Sequence, residues 1–298
     1  MKSASDRNSS WTRTLILVVG VLVGSFILNA AKAQGLENSL LWEVSGNGIQ
    51  TSYVYGTFHL LPQEDFQLTE KVTTAFDASE QIVMELDMDD PNMQMEMIQN
   101  MAMTDGTTLD KLIGEEDLKL LDEQLTAAAG LGVAQVNTFK PFMVETLLLP
   151  TFIEGKPASY EMSFVQRALG QEKEILGLET VQFQTSLFDE IPYEDQVDDL
   201  VEMLRDREPM EALFASMIKT YNKEDINSLY DASADYFSET ELAVLLHRRN
   251  SDWIPKIGNY AKEKSTFFAV GAGHLGGEQG VINLLKEAGY ELKPIGPR

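Results

Sequence analysis

The sequence predicts one α/β domain. Its central sheet should be mixed but largely parallel, built from strand-helix-strand units at both ends of the chain, with a large helical insertion between them. Three observations carry this expectation. Residues 41–88 and 265–295 each read as strand, Gly-x-x-His, helix, strand. Residues 91–245 follow a helical pattern almost throughout. No stretch rich in Pro, Ser or Gly splits the chain beyond its first 33 residues, so residues 34–298 form a single domain.

In chain order, residues 40–44 and 51–56 are strand-like, and Gly46-Asn47-Gly48 between them reads as a hairpin turn. Residues 69–79 have helical spacing, with Val72, Ala75 and Phe76 on one face and Glu70 in the first turn. "QIVMELDM", residues 81–88, is a short apolar run ending in acids, which suits a buried strand. Strand, helix and strand in so few residues make a βαβ unit, so the sheet should be parallel there. In the middle, "TTLDKLIGEEDLKLLDEQLTAA" is the clearest amphipathic helical stretch. "EKEILGLET", residues 172–180, interrupts the helices as a strand ending in Glu179. At the end come a buried strand (265–270), a glycine-rich turn (271–277), a helix (280–288) capped by Gly289, and a final strand in "YELKPI". Met84, Met88, Met93, Met95, Met97, Met101 and Met103 crowd one region. With no cysteine or histidine among them, they read as irregular core filling rather than a soft-metal site.

The N-terminus reads as a secretory leader over residues 1–33. Lys2, Arg7 and Arg13 precede an apolar core, Leu15 to Leu28, and Ala31-Lys32-Ala33 offers small residues for cleavage. That core is shorter than the roughly 20 residues a spanning helix needs, so cleavage is expected and an uncleaved anchor is the alternative. The expectation is a periplasmic or secreted protein that meets the membrane only in transit. Without the leader, 19 basic residues face 46 acidic ones, a net charge of −27. A surface of that sign offers no footprint to nucleic acid or anionic lipid, but it can draw divalent cations towards a cleft. There is no cysteine, which excludes a disulfide framework, a cysteine nucleophile and a thiolate metal site.

The chemistry concentrates in the histidines, of which there are three. His59 follows Gly56 by three residues and His274 follows Gly271 by three, each just past a strand. Composition alone yields two of three histidines in that frame roughly one or two times in a hundred. Parallel strands deliver their C-terminal ends to one rim of a sheet, where ligands sit. Glu85 and Glu179 lie at or near two further strand ends. Two histidines and a carboxylate are a common ligand set for a catalytic divalent metal, with open positions left for water and substrate. A second carboxylate can take the proton of the activated water. A single histidine after a strand would more simply be structural, and a strand-end glutamate simply solvated. The duplicated frame raises the metal reading.

The sequence resembles the TraB/GumN family of exported bacterial proteins, related to the Tiki metalloproteases of animals. The segments that carry the resemblance are "LLWEVSGNGIQTSYVYGTFHLLP", "IVMELD", "FKPFMVETLLL", "ILGLETVQFQTSLF", "HRRNSDWIPKI" and "TFFAVGAGHLGGEQGVINLLKEAGYELKPI". The resemblance implies a metal-dependent hydrolase acting on peptides or another small substrate. It makes His59 and His274 ligands of a divalent ion (manganese, cobalt or zinc) and Glu85 their carboxylate partner. It makes Arg249 either a positive charge for an oxyanion or the holder of a carboxylate. Glu179 is then a residue that holds another group in place, a general base, or only a helix-start carboxylate. The competing expectations are a non-catalytic binding or sequestering protein, for instance one linked to polysaccharide export, and an esterase using the same site.

Overall fold

A computed structural model of the chain describes residues 36–296. They belong to one compact unit, Gly35–Arg298. The leader expected at residues 1–33 lies outside the described residues.

The fold is α/β, as expected. Eight strands form among the described residues: β1 (Leu41–Ser45), β2 (Ser52–Thr57), β3 (Leu61–Pro62), β4 (Gln81–Leu86), β5 (Pro157–Ala158), β6 (Glu174–Glu179), β7 (Thr266–Gly271) and β8 (Glu291–Pro294). Six of them make one sheet in the order β6-β4-β7-β2-β1-β8, and β3 and β5 make a small two-stranded ladder. The pairs β6–β4, β4–β7 and β7–β2 are parallel, whereas β1 is antiparallel to both β2 and β8. The β1–β2 turn is tight because Gly46, Asn47 and Gly48 all take positive φ, which two glycines and an asparagine tolerate. Every residue of β7 is buried, as suits a parallel strand covered on both faces. β2 and β4 both flank β7, so the last parallel strand of the chain is inserted between the first two.

One core surrounds this sheet. Phe267 of β7 packs on Tyr55, on Phe76 of the helix Glu70–Ala78 and on Phe164 of the helix Tyr160–Gly170. Trp253 and Ile257 of the helix Arg248–Glu263 belong to the same core. The helical insertion holds a second core, with Leu109, Leu121, Leu125, Val144 and Leu200 at its centre.

The methionine cluster meets the expectation only in part. Met84 and Met103 are buried, and Met88 and Met101 pack against the cores from partly buried positions. The helix Met93–Asn100, however, buries no residue, and Met95 is 61% exposed. Its sequence, MQMEMIQN, alternates every second residue. Met93 and Met97, four residues apart, share one half-buried face, whereas Met95 points to the opposite side, so the apolar stripe is too narrow to enter the core.

Candidate functional site

Thr57 of β2 pairs with Gly271 of β7, so the two Gly-x-x-His turns leave the same rim of the sheet on neighbouring strands. Glu85 stands one residue before the end of β4, and Glu179 ends β6. All four strands therefore deliver a chemically capable side chain to one edge. The two glycines do different work. A methyl group at Gly56 would meet Leu275 Cδ1 at 2.7 Å and Ala272 Cα at 3.0 Å, so its absence lets the second turn approach. A methyl group at Gly271 would sit 3.2 Å from His59 Nε2 and 3.4 Å from Glu85 Oε1, in the space between the reactive groups.

The histidines are held by their outer nitrogens. His59 Nδ1 lies 2.7 Å from Glu161 Oε1, and His274 Nδ1 lies 2.6 Å from Asn250 Oδ1. Both partners are acceptors in that arrangement, which places a proton on each Nδ1 and leaves each Nε2 facing inward. Glu85 Oε1 stands 3.9 Å from each of the two Nε2 atoms and also accepts the Gly271 backbone N–H at 2.8 Å. Its Oε2 accepts from Arg249 Nη2 at 2.6 Å and from Gln184 Nε2 at 3.2 Å.

Arg249 is buried, unlike its neighbour Arg248, which pairs at the surface with Glu190. All five of its N–H groups are engaged. Nε and Nη2 bond Glu179, Nη2 also bonds Glu85, and Nη1 bonds the Leu245 carbonyl and His274 Nε2, the last at 3.2 Å. The Glu179 carboxylate has no exposed surface and accepts Trp253 Nε1–H at 2.9 Å besides the guanidinium. It anchors Arg249 and has no open path to solvent.

The electrostatics follow from this packing. Burial alone would raise Glu85, but Arg249 and then the two histidines hold its carboxyl well below the usual range. Burial, reinforced by Arg249, pushes His274 down to about 3, so its ring is neutral. Partial loss of hydration opposes a charge on His59, yet the Glu161 carboxylate and then Glu85 outweigh it and raise the imidazole. That ring keeps 64% of its side-chain surface exposed, so it is the accessible member of the set. Three carboxylates, Glu85, Glu161 and Glu179, stand against the single fixed cation Arg249.

The arrangement coincides with a match to the profile of the TraB/PrgY/gumN family over residues 40–294. The chain belongs to that family. Comparison with curated proteins and with solved structures gave no match.

Within this TraB/PrgY/gumN domain, the structure brings His59, Glu85, Glu179, Arg249 and His274 together at one rim. The third histidine, His247, is elsewhere, bonded to the Tyr230 hydroxyl. Sequence reasoning missed Glu161, Asn250 and Trp253. Asn250 and Trp253 stand in the Arg-Asn-x-x-Trp segment that carried the resemblance, one and four residues after Arg249. Glu161 had only the weak sign of an acid behind a helix-capping serine, Ser159.

Proposed function

We propose that the chain is an exported hydrolase that works with a divalent metal ion (manganese, cobalt or zinc) and cleaves peptides. The observation that supports this best is the donor set: two imidazole Nε2 atoms and one carboxylate oxygen converge over a glycine, with both Nδ1 atoms tied back. Outer hydrogen bonds of that kind fix the tautomer and aim of metal-ligating histidines. The charge balance agrees once His59 gives up its proton, since three carboxylates and one guanidinium then leave two negative charges for a divalent ion to meet.

The donors fit such an ion with a small adjustment. Among the described residues no three of them are drawn into a closed coordination shell. The 3.9 Å separations exceed the roughly 3.4 Å expected between donors of a tetrahedral zinc site. His59, Glu85 and His274 would hold the ion, which would supply Lewis acidity to polarise a carbonyl and make water a better nucleophile. Arg249 then changes role. With His274 Nε2 holding an ion, one Nη1 N–H would lose its acceptor and would be free for a substrate oxygen. Glu179 keeps the guanidinium in place throughout.

Peptide as substrate rests on the resemblance to Tiki-type proteases, and export rests on the leader read at residues 1–33. The test is elemental analysis of protein purified without added metal, together with hydrolysis of a peptide library before and after chelation. Bound metal is expected in the wild type and none in His59→Ala or His274→Ala, with hydrolysis falling by orders of magnitude in both. A chain that takes up no manganese, cobalt or zinc refutes the reading. The contact of Arg249 with His274 Nε2 favours a second reading, a non-catalytic binding protein whose buried histidine is structural, and that reading then stands.

A further inference from the structure

We propose that Glu161 is the positioning residue of His59, fixing a rim imidazole so that its Nε2 faces Glu85 and His274. Its effect on metal affinity rests on the metal reading above; its hold on the ring rests on geometry alone.

His59 needs a holder. It lies in a bend after β2 with 64% of its side chain exposed, and an exposed ring on a loop samples several rotamers. His274 has no such need, because it is buried against Trp253 and bonded to the fully buried Asn250. For His59 the holder is a carboxylate that is itself fixed. Glu161 Oε1 accepts the Thr57 hydroxyl, and Oε2 accepts the Ser159 hydroxyl at 2.6 Å. Ser159 also caps the helix Tyr160–Gly170 by accepting the Met162 N–H. Glu161 thus has every oxygen committed before it meets the imidazole.

The small β3–β5 ladder explains how residues a hundred positions apart stay in register. It pairs Leu61 with Ala158 and Pro62 with Pro157. Leu61 is two residues after His59, and Ala158 is three residues before Glu161. The ladder therefore clamps the histidine loop to the helix start, and the bond from Nδ1 to Oε1 closes the ring of contacts. A charged acceptor there also increases the basicity of Nε2, and removal of such outer partners typically lowers metal affinity about 10–100-fold.

The experiment uses the full chain labelled with 13C at histidine Cε1, whose three histidines give three ring signals. Relaxation of the His59 signal is measured in metal-free wild type, Glu161→Ala and Glu161→Gln, and Zn2+ affinity is measured by calorimetry in each. The ring should be rigid in the wild type and mobile in Glu161→Ala, with affinity reduced about 10–100-fold. Glu161→Gln keeps an oxygen acceptor and should restore most of the rigidity with part of the affinity. An equally rigid ring in Glu161→Ala overturns the inference. So does Zn2+ binding within threefold of wild type when His59→Ala abolishes it. If the wild type binds none of Zn2+, Mn2+ and Co2+, the metal reading fails and the relaxation data alone decide whether Glu161 holds the ring. Should Glu161→Ala not fold, Glu161→Asp draws the carboxylate back by one methylene and gives the same comparison.

Discussion

Glu145 offers a test of the folded chain that is independent of any ligand. It lies on the helix Pro141–Leu148, is 8% exposed, and faces Asp199 and Glu241 with no basic group among the causes of its shift. Burial, then Asp199 and Glu241, push its carboxyl up to about 7 from an ordinary 4.5; only the Tyr236 hydroxyl opposes them. Below pH 4.5 the group is protonated whether the chain is folded or not, and it has no effect. Between 4.5 and 7 only the unfolded chain ionises, so stability falls as pH rises, and above 7 the full penalty is present. At about 1.4 kcal/mol per pKa unit, that span amounts to about 3 kcal/mol. Glu145→Gln removes the ionisation and retains the shape. It should match the wild type near pH 4.5 and exceed it by about 2–3 kcal/mol at pH 8, roughly 5–10 °C in Tm for a chain of this size. Because burial is the leading cause, 0.5 M NaCl should shrink the gain only partly. Urea titrations at half-unit pH steps measure it. Parallel stability curves for the two chains from pH 4.5 to 8 would refute the reasoning.

Further outcomes follow from the site. Gly56→Ala forces a methyl group against Leu275 and Ala272 and should destabilise the fold by about 1–3 kcal/mol in urea titration. Gly271→Ala places its methyl beside His59 Nε2, so Zn2+ affinity measured by calorimetry should fall tenfold or more with a smaller loss of stability. The reverse ranking of the two alanines would sink the division of labour between these glycines. Glu179→Gln leaves Arg249 short of a buried counter-charge and should cost about 3–5 kcal/mol, read as a lower urea midpoint; an unchanged midpoint refutes its anchoring role. N-terminal sequencing of chain recovered from the periplasm should begin near Gln34, and a start near Met1 in the membrane fraction would refute cleavage and favour the uncleaved anchor.

Local signals made much of the fold legible. The glycine pair of the β1–β2 turn, the apolar run of β7 and the helix at Glu70–Ala78 stand where the sequence puts them, because each is set by residues within a few positions of one another. The insertion of β7 between β2 and β4 was not legible, since no local pattern records which parallel strands become neighbours. Met93, Met95 and Met97 were misread for a related reason. Their number suggested a core, but only Met93 and Met97, four residues apart, share a face, and a stripe of two half-buried methionines is too narrow to enter it. Glu161 stayed hidden because an acid in a helix's first turn is ordinary on grounds of the helix dipole alone. Only the β3–β5 ladder, which the sequence does not announce, turns it towards His59.

The repeated Gly-x-x-His frame shows why a legible pattern can still mislead about its cause. Read as sequence, the two copies invite one explanation, room for the backbone to come close. The structure separates them. Gly56 makes room for the other copy, whose turn packs into the space a side chain would fill. Gly271 keeps clear the space beside His59 Nε2 and Glu85 Oε1, which a methyl group would enter. The histidines divide in the same way. His274 is neutral, enclosed and set by a buried amide, whereas His59 is exposed and set by a carboxylate. On the proposed function, a substrate arriving from solvent would meet His59 first, with Glu85 and His274 behind it. On that reading the substrate would approach on the His59 side while Glu85 and His274, braced by Arg249 and Glu179, stay behind it.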